Sequence, residues 1–378
     1  MLLRLLLSAI LLLQAQPLFA HKASDSYLAL TVRGNAIEGQ WDVALRDLDY
    51  AIGLDGSDDG AITLGELNGR REQVAAYVLP RLQVTAAGAP CPLKLADYLV
   101  DKHTDGAYVV LRFRVECPRP GPAIDLAYAL FFDVDPQHRG LLRLDYQGTT
   151  QTAVFSPTQP AQHIELGEVR QGSAFLQYLS VGVWHIWTGY DHILFLLSLL
   201  LPAVLYRQGR DWHPVAGFRP AFMEVLKVVT AFTLAHSITL SLATLGLISL
   251  PSRWVESAIA ASVVLAALNN LHPIIDKKRW AVAFGFGLVH GLGFANVLND
   301  LGLPQGTLLL ALVAFNLGVE IGQLAIVSAF LPSAYCLRRS RGYRTLCLNL
   351  GSVLISLIAF AWLLERALDL KLFSGGGL

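Results

Sequence analysis

The chain has 378 residues, of which 54% are apolar and only 15% charged, and its 29 basic residues balance 29 acidic ones. That balance argues against a nucleic-acid surface and leaves the lipid bilayer as the natural partner. Long apolar runs with almost no Lys, Arg, Asp or Glu fill most of the chain beyond about residue 174, the composition of a polytopic membrane protein with a soluble front.

The first 20 residues, MLLRLLLSAILLLQAQPLFA, combine one arginine, a short leucine-rich core and small or polar residues up to Ala20. This is the pattern of a secretory signal peptide cut before His21, with an uncleaved anchor as the alternative and Leu18 an imperfect match three residues before the cut. Cleavage there exposes His21, whose amine and imidazole together suit copper or nickel; the plainer reading is an ordinary new N-terminus.

Residues 21–172 alternate apolar and polar side chains in short runs such as YLALTV, YVVLRFRV and LLRLDY, broken by Pro and Gly. Such runs are half-buried strands, so a β-rich exported domain is expected. Cys91 and Cys117 fall within it at a spacing unlike a metal site, and an oxidising compartment lets them pair. Cys336 and Cys347, near the end of an apolar stretch, read as plain thiols.

One insertion interrupts the strands. In DGSDDGAITLGE, residues 55–66, Asp55, Ser57 and Asp59 occupy loop positions one, three and five. Gly60 follows for the sharp turn, Ala61 offers a carbonyl, Ile62 packs, and Thr63 and Glu66 take positions nine and twelve. This is the spacing of an EF-hand calcium loop, in which hard oxygen ligands surround a hard cation. Both flanks can be helical; the alternative is a solvated acidic turn.

Six hydrophobic segments follow, near 178–206, 222–248, 254–275, 279–299, 307–331 and 345–366, each long enough to cross a ~30 Å hydrocarbon core. The expected fold is a membrane all-α domain of six transmembrane helices, residues 173–370, preceded by the β-rich domain with its EF-hand-like loop and followed by a short tail, 371–378. With the soluble domain outside, the inside loops hold Arg207, Arg210 and Arg219, then Lys277, Lys278 and Arg279, then Arg338, Arg339, Arg341 and Arg344. The intervening outside loops hold only Arg253. That bias predicts a bacterial inner-membrane protein with a periplasmic front domain.

Ionisable groups at membrane depth are functional candidates by default. Here they are His185, Asp191 and His192 in the first segment, His236 in the second, Glu256 and His272 in the third, His290 in the fourth and Glu320 in the fifth. Asn269, Asn270, Asn316 and Gln323 read as packing contacts, and His272, before Pro273, as a helix-end residue. In a straight helix His185 and His192 stand about 10 Å apart along the axis. Either the helix breaks at Thr188 and Gly189, or the two histidines belong to successive stations. Glycines beside His290 (Gly287, Gly291 and Gly293) allow close helix packing. Neutral imidazoles beside carboxylates suit borderline divalent metals, a zinc hydrolase or a proton relay.

The pattern HxxxxxDH, from His185 through Asp191 and His192, resembles the first-span motif of the HupE/UreJ family of nickel and cobalt permeases, accessory to hydrogenases and ureases. VHGLGFA and FNLGVEIG are similar, in altered form, to that family's later histidine-glycine and glutamate regions. The resemblance covers about residues 174–366 and implies metal recognition by His185, Asp191 and His192, and by His290 and Glu320. The compact histidine-rich stretch of the permeases is split here between two spans, with Asn316 in the later one.

The sequence thus reads as a permease for nickel or cobalt. The ion meets His185, Asp191 and His192, then passes His236, Glu256, His290 and Glu320, and calcium steadies the exported domain. No nucleotide-binding motif is present, so energy comes from a gradient or a partner. Two rivals stand beside it. One is an intramembrane zinc hydrolase with His192, His236 and His290 as ligands, Asp191 or Glu256 as base and Ser237 as an oxyanion donor. The other is a non-transporting assembly or sensory protein whose exported domain binds a partner.

Overall fold

A computed structural model describes residues 25–57, 59–103, 106–118, 121–167, 171–209, 211–275, 278–293 and 305–368. The expected signal peptide, His21 and the C-terminal tail lie outside these residues. The chain separates into two compact units, one within residues 21–177 and 296–310, the other within 178–295 and 311–378.

The front unit is β-rich. The runs YLALTV, YVVLRFRV and LLRLDY fall in β1 (Asp25–Arg33), β6 (Gly106–Glu116) and β8 (Arg139–Tyr146). With β2 (Ala36–Ala44), β5 (Leu93–His103) and β9 (Thr149–Phe155) they form a six-stranded sheet in the order β5-β6-β2-β1-β8-β9. All its pairs are antiparallel except β1 with β8. A four-stranded antiparallel sheet has the order β10-β7-β3-β4, from β3 (Leu82–Ala86), β4 (Ala89–Cys91), β7 (Ala123–Tyr128) and β10 (Ala161–Glu165). Alternate residues of both sheets, among them Leu28, Leu30, Trp41, Leu111 and Leu142 from one and Val84, Ile124 and Leu126 from the other, share a single apolar core, as the two-residue side-chain period of strands requires. Cys91 is bonded to Cys117, clipping β4 to the end of β6.

The loop 55–66 follows α1 (Leu45–Ile52) and runs into the first turn of α2 (Leu64–Gly69), with α3 (Arg71–Val78) following. Gly60 takes the left-handed conformation, φ +83°, and its amide donates to Asp55 Oδ2 at 2.7 Å. Thr63 caps α2 in a reciprocal pair with Glu66. Glu66 accepts from the Thr63 amide and hydroxyl and from the Gly56 and Ser57 amides. Those bonds, Thr63's foremost, hold its carboxyl down at about 2. The carboxylates of this loop are thus already bonded to backbone amides, and Asp58 lies outside the described residues.

The core of this unit also encloses a polar knot. Ser26, Trp41, Tyr128 and His138 are all essentially buried. The Tyr128 hydroxyl stands 2.8 Å from His138 Nε2 and also meets Ser26 Oγ, which accepts from Trp41 Nε1. Burial lifts the Tyr128 phenol above its ordinary range and holds His138 down at about 3. His138 therefore takes up a proton near pH 6.5 in the unfolded chain but only near pH 3 in the folded one. The stabilisation is complete above pH 6.5 and is lost as pH falls toward 3, with a limiting slope of about 1.4 kcal/mol per pH unit.

In the second unit four helices are long and apolar enough to cross a membrane: α6 (Phe218–Thr244), α7 (Ser252–Leu271), α9 (Gln305–Leu337), and the run Tyr343–Leu368, whose regular part is α10 (Gly351–Leu368). These are the make-up of a multi-pass membrane protein. Two of the expected segments differ from continuous spans. The first is a pair of helices, α4 (Gln171–Thr188) and α5 (Tyr190–Leu200), separated at Gly189. Within the fourth, the described helix is the 12-residue α8 (Arg279–His290). Arginines of three loops are tied to backbone carbonyls: Arg207 to Pro273, Arg279 to Pro202, Arg338 to Val215 and Arg344 to Trp212. Around them the short hairpin β11 (Leu205–Gln208) and β12 (Asp211–Pro214) folds back on itself.

Amide hydrogen exchange on the full chain tests the buried histidine. Protection of β1, β2 and β8, corrected for intrinsic exchange rates, is expected to fall between pH 6.5 and pH 4, and much less so in His138→Gln. Equal pH dependence in both proteins refutes this account.

Candidate metal centre

The histidines of the second unit converge because the first apolar segment breaks. Gly189 lies between α4 and α5 with extended backbone, φ −76° and ψ 95°. The turn brings the His185 and His192 rings to 4.6 Å between centroids, where an unbroken helix would keep them about 10 Å apart along its axis. Of the two alternatives open at the sequence level, the helix break is the one the structure adopts. No other residue fits the corner: a Cβ on Gly189 would stand 2.7 Å from the His185 carbonyl and 2.9 Å from His192 Nδ1.

His236, fully buried on α6, joins the pair, its ring 6.3 Å from that of His185 and 6.4 Å from that of His192. One nitrogen from each of His185, His192 and His236 lies within 4.8 Å of the others. Among the described residues this is the one group of three or more such ligands. His290 is a fourth imidazole close by, 5.2 Å from His192 between ring centres.

The neighbours of these rings decide which nitrogen faces inward. Asp191 Oδ1 lies 2.9 Å from His192 Nδ1 and also accepts the His192 amide. A carboxylate only accepts, so Nδ1 carries the proton and Nε2 presents its lone pair. On His236 the partner is Asn316. The Asn316 amide nitrogen donates to the Leu312 carbonyl at 2.8 Å, which turns Oδ1 toward His236 Nδ1 at 3.3 Å and again leaves Nε2 unprotonated. The one proton of Ser262 goes to the Ile259 carbonyl, so Ser262 accepts from His290 Nε2 at 2.8 Å and Nδ1 of that ring holds the lone pair. His192 Nε2, His236 Nε2 and His290 Nδ1 are buried without hydrogen-bond partners among the described residues.

Buried lone pairs without donors are costly unless something fills the role. Imidazoles oriented through their second nitrogen by a carboxylate or a carbonyl are the usual preparation for a metal ion. Nitrogens around one tetrahedral ion stand about 3.4 Å apart, so modest ring rotations complete a site. The donor set suits a borderline divalent cation such as Ni²⁺, Co²⁺ or Zn²⁺.

The remaining sequence candidates lie apart from this group. Glu256 Oε1 accepts from Ser252, and Glu320 Oε1 accepts from Thr230. Ser237 donates to the Thr233 carbonyl, and His272 ends α7 at the surface. Two supporting residues escaped the sequence reading as site members. Asn316 has the sequence signature of a packing contact, and Ser262 carries no signal in an apolar run. Glycines bring the backbones together around the centre: a Cβ on Gly182 would meet the Phe315 carbonyl at 2.1 Å, one on Gly318 the Leu179 carbonyl at 2.1 Å, and one on Gly291 the His236 carbonyl at 2.3 Å.

Residues 161–366 match the model of the family described as HupE / UreJ protein. The chain belongs to the HupE/UreJ family. Among curated proteins, none matches it. The match spans every residue of the histidine cluster, and membership brings to the HupE/UreJ chain a role in metal transport or its accessory processes.

The helix contact behind the cluster predicts a contrast between two glycines. Gly318→Ala is expected to destabilise the solubilised protein by about 1–3 kcal/mol, as overpacking does. Gly285→Ala, on an exposed face of α8 with open space around it, is expected to be neutral or to stabilise by up to about 1 kcal/mol. Thermal unfolding of both variants reads the difference; equal midpoints would remove the steric account.

Proposed function

We propose that the chain is a permease of the bacterial inner membrane that carries a divalent transition metal, nickel or cobalt, with its front unit in the periplasm. The observation that carries this reading is the trio His185, His192 and His236 at a helix break, with Asp191 and Asn316 setting the ring tautomers of His192 and His236. In membrane transporters irregular backbone is tolerated where it lines a substrate site, and broken helices supply such sites near the midplane. Three neutral imidazoles and one carboxylate leave a bound divalent ion with net charge +1, held without being locked in a closed cage. His290 Nδ1 offers a further donor beside His192. In this reading the broken pair, α8 with the residues after it, and the four long helices make six crossings, with the arginine-rich loops inside.

The front unit, in the same reading, takes calcium at residues 55–66, through Asp55, Ser57, Asp59, the Ala61 carbonyl, Thr63 and Glu66. What supports this is the left-handed Gly60 turn tied to Asp55 and the flanking helices. Binding requires Glu66 to exchange its amide partners for the ion.

Proteoliposomes holding wild type, or Asp191→Ala with His192→Ala, test the transport reading. Uptake of Ni²⁺ or Co²⁺ by wild type is expected to fall at least tenfold in the double variant. One zinc ion per chain that survives dialysis, without flux of any metal, would overturn the permease and favour a zinc hydrolase. For the front unit, millimolar calcium is expected to raise hydrogen-exchange protection across residues 45–78, and Glu66→Gln to abolish the rise; an unresponsive wild type argues against calcium there.

A further inference from the structure

Polar contacts between α6 and α9 continue away from the metal centre. His236, Thr233 and Thr230 follow at three-residue spacing on α6, and each meets an oxygen on α9: Asn316 Oδ1 at 3.3 Å, Gln323 Oε1 at 2.9 Å and Glu320 Oε1 at 2.9 Å. The series covers about 9 Å of helix axis. Its middle pair is dry, Thr233 being 5% and Gln323 4% exposed. Its far end is open, because Thr230 lines a recess of about 700 Å³ together with Glu224, Lys227, Leu234, Lys278 and Trp280.

The surface of α6 along this recess is mixed, with Leu226, Ala231 and Leu234 beside a polar row. Glu224, Lys227 and Thr230 succeed one another at three-residue spacing, with Lys227 paired to Glu224 at 3.7 Å and both side chains largely exposed. Thr230 stands near the midpoint of the 27-residue helix. At that depth Thr230 meets the Glu320 carboxylate, and ionisable groups deep in a membrane face one another or a water-filled cavity. Here they border a cavity.

We propose that this recess is a water-filled inner vestibule that receives the cation leaving the histidine cluster, with the buried Thr233–Gln323 pair as the barrier between them. The identity of the cation rests on the permease reading; the water in the recess does not. Ligand chemistry changes along the route from imidazole nitrogen to neutral amide and hydroxyl oxygen, and then to the Glu320 carboxylate and water. A borderline divalent ion holds the oxygens more weakly than the nitrogens, and conduction requires binding weak enough to leave.

The test joins labelling to flux. Ala231→Cys and Leu234→Cys, which line the recess, are compared with Leu265→Cys on the exposed face of α7, each in a full-length chain carrying Cys336→Ala and reconstituted in liposomes. A charged maleimide that cannot cross the membrane is applied from either side. The two recess thiols are expected to react at least tenfold faster than Cys at 265, and from one side only. Gln323→Leu is then expected to lower Co²⁺ flux at least tenfold while the cluster still binds Co²⁺ with wild-type absorption. Recess thiols as slow as the control would show lipid in the recess and overturn the proposal, whether or not the Gln323 variant folds. Unchanged flux in a folded Gln323→Leu would overturn the barrier. Fast labelling in a protein that binds no metal would refute the metal reading of the cluster while upholding the vestibule.

Discussion

The break at Gly189 is the constraint on which the histidine cluster depends. A continuous helix hides its backbone polar groups within itself, which is the cheapest arrangement in lipid. Giving that up at one residue lets two histidines seven positions apart face each other. It also creates a helix N-terminus in the middle of the segment, where Asp191 is the acidic residue of the first turn. A carboxylate there is favoured by the helix dipole, satisfies the His192 amide and holds the His192 ring by its other nitrogen. One residue thus stabilises the broken end and orients the His192 ring.

The centre also depends on how closely the backbones approach. Gly182 and Gly318 let α4 and α9 touch carbonyl to Cα, and Gly291 does the same against His236. Hydrogen bonds between other helix pairs then fix the rings, Asn316 of α9 meeting His236 of α6 and Ser262 of α7 meeting His290 of α8. These contacts cost little in a membrane, where association depends on packing and interhelical hydrogen bonds rather than on expelling water. They leave His192 Nε2, His236 Nε2 and His290 Nδ1 without a hydrogen-bond partner among the described residues, so these three rings are held ready at the expense of hydrogen bonds.

The front unit follows the ordinary rules of water-soluble proteins, with one apolar core between two sheets and a disulfide at one edge. Its polar knot of Ser26, Trp41, Tyr128 and His138 is satisfied internally, whereas His192 Nε2, His236 Nε2 and His290 Nδ1 have no hydrogen-bond partner among the described residues. Both sets are buried, and the difference lies in their partners: a phenol and a hydroxyl close on the His138 ring, while His192, His236 and His290 spend their single N–H on Asp191, Asn316 and Ser262 and have none left for one another.

Much of this was legible in the chain itself. Strand alternation marked the runs that became β1, β6 and β8, because a period of two has few other meanings. Apolar length marked the four long helices, and the rarity of ionisable groups in such runs singled out His185, Asp191, His192, His236 and His290. The spacing in HxxxxxDH was read as needing either a break or two stations, and only tertiary structure chose the break, since helix continuity through a Thr-Gly pair depends on what packs around it. Asn316 and Ser262 were invisible as site members because their role lies in which ring nitrogen they touch, a matter of helix order and rotation. The same reason separates Glu256 and Glu320 from the cluster: residue type and depth are written in the sequence, whereas the direction a side chain faces is set by the neighbouring helix.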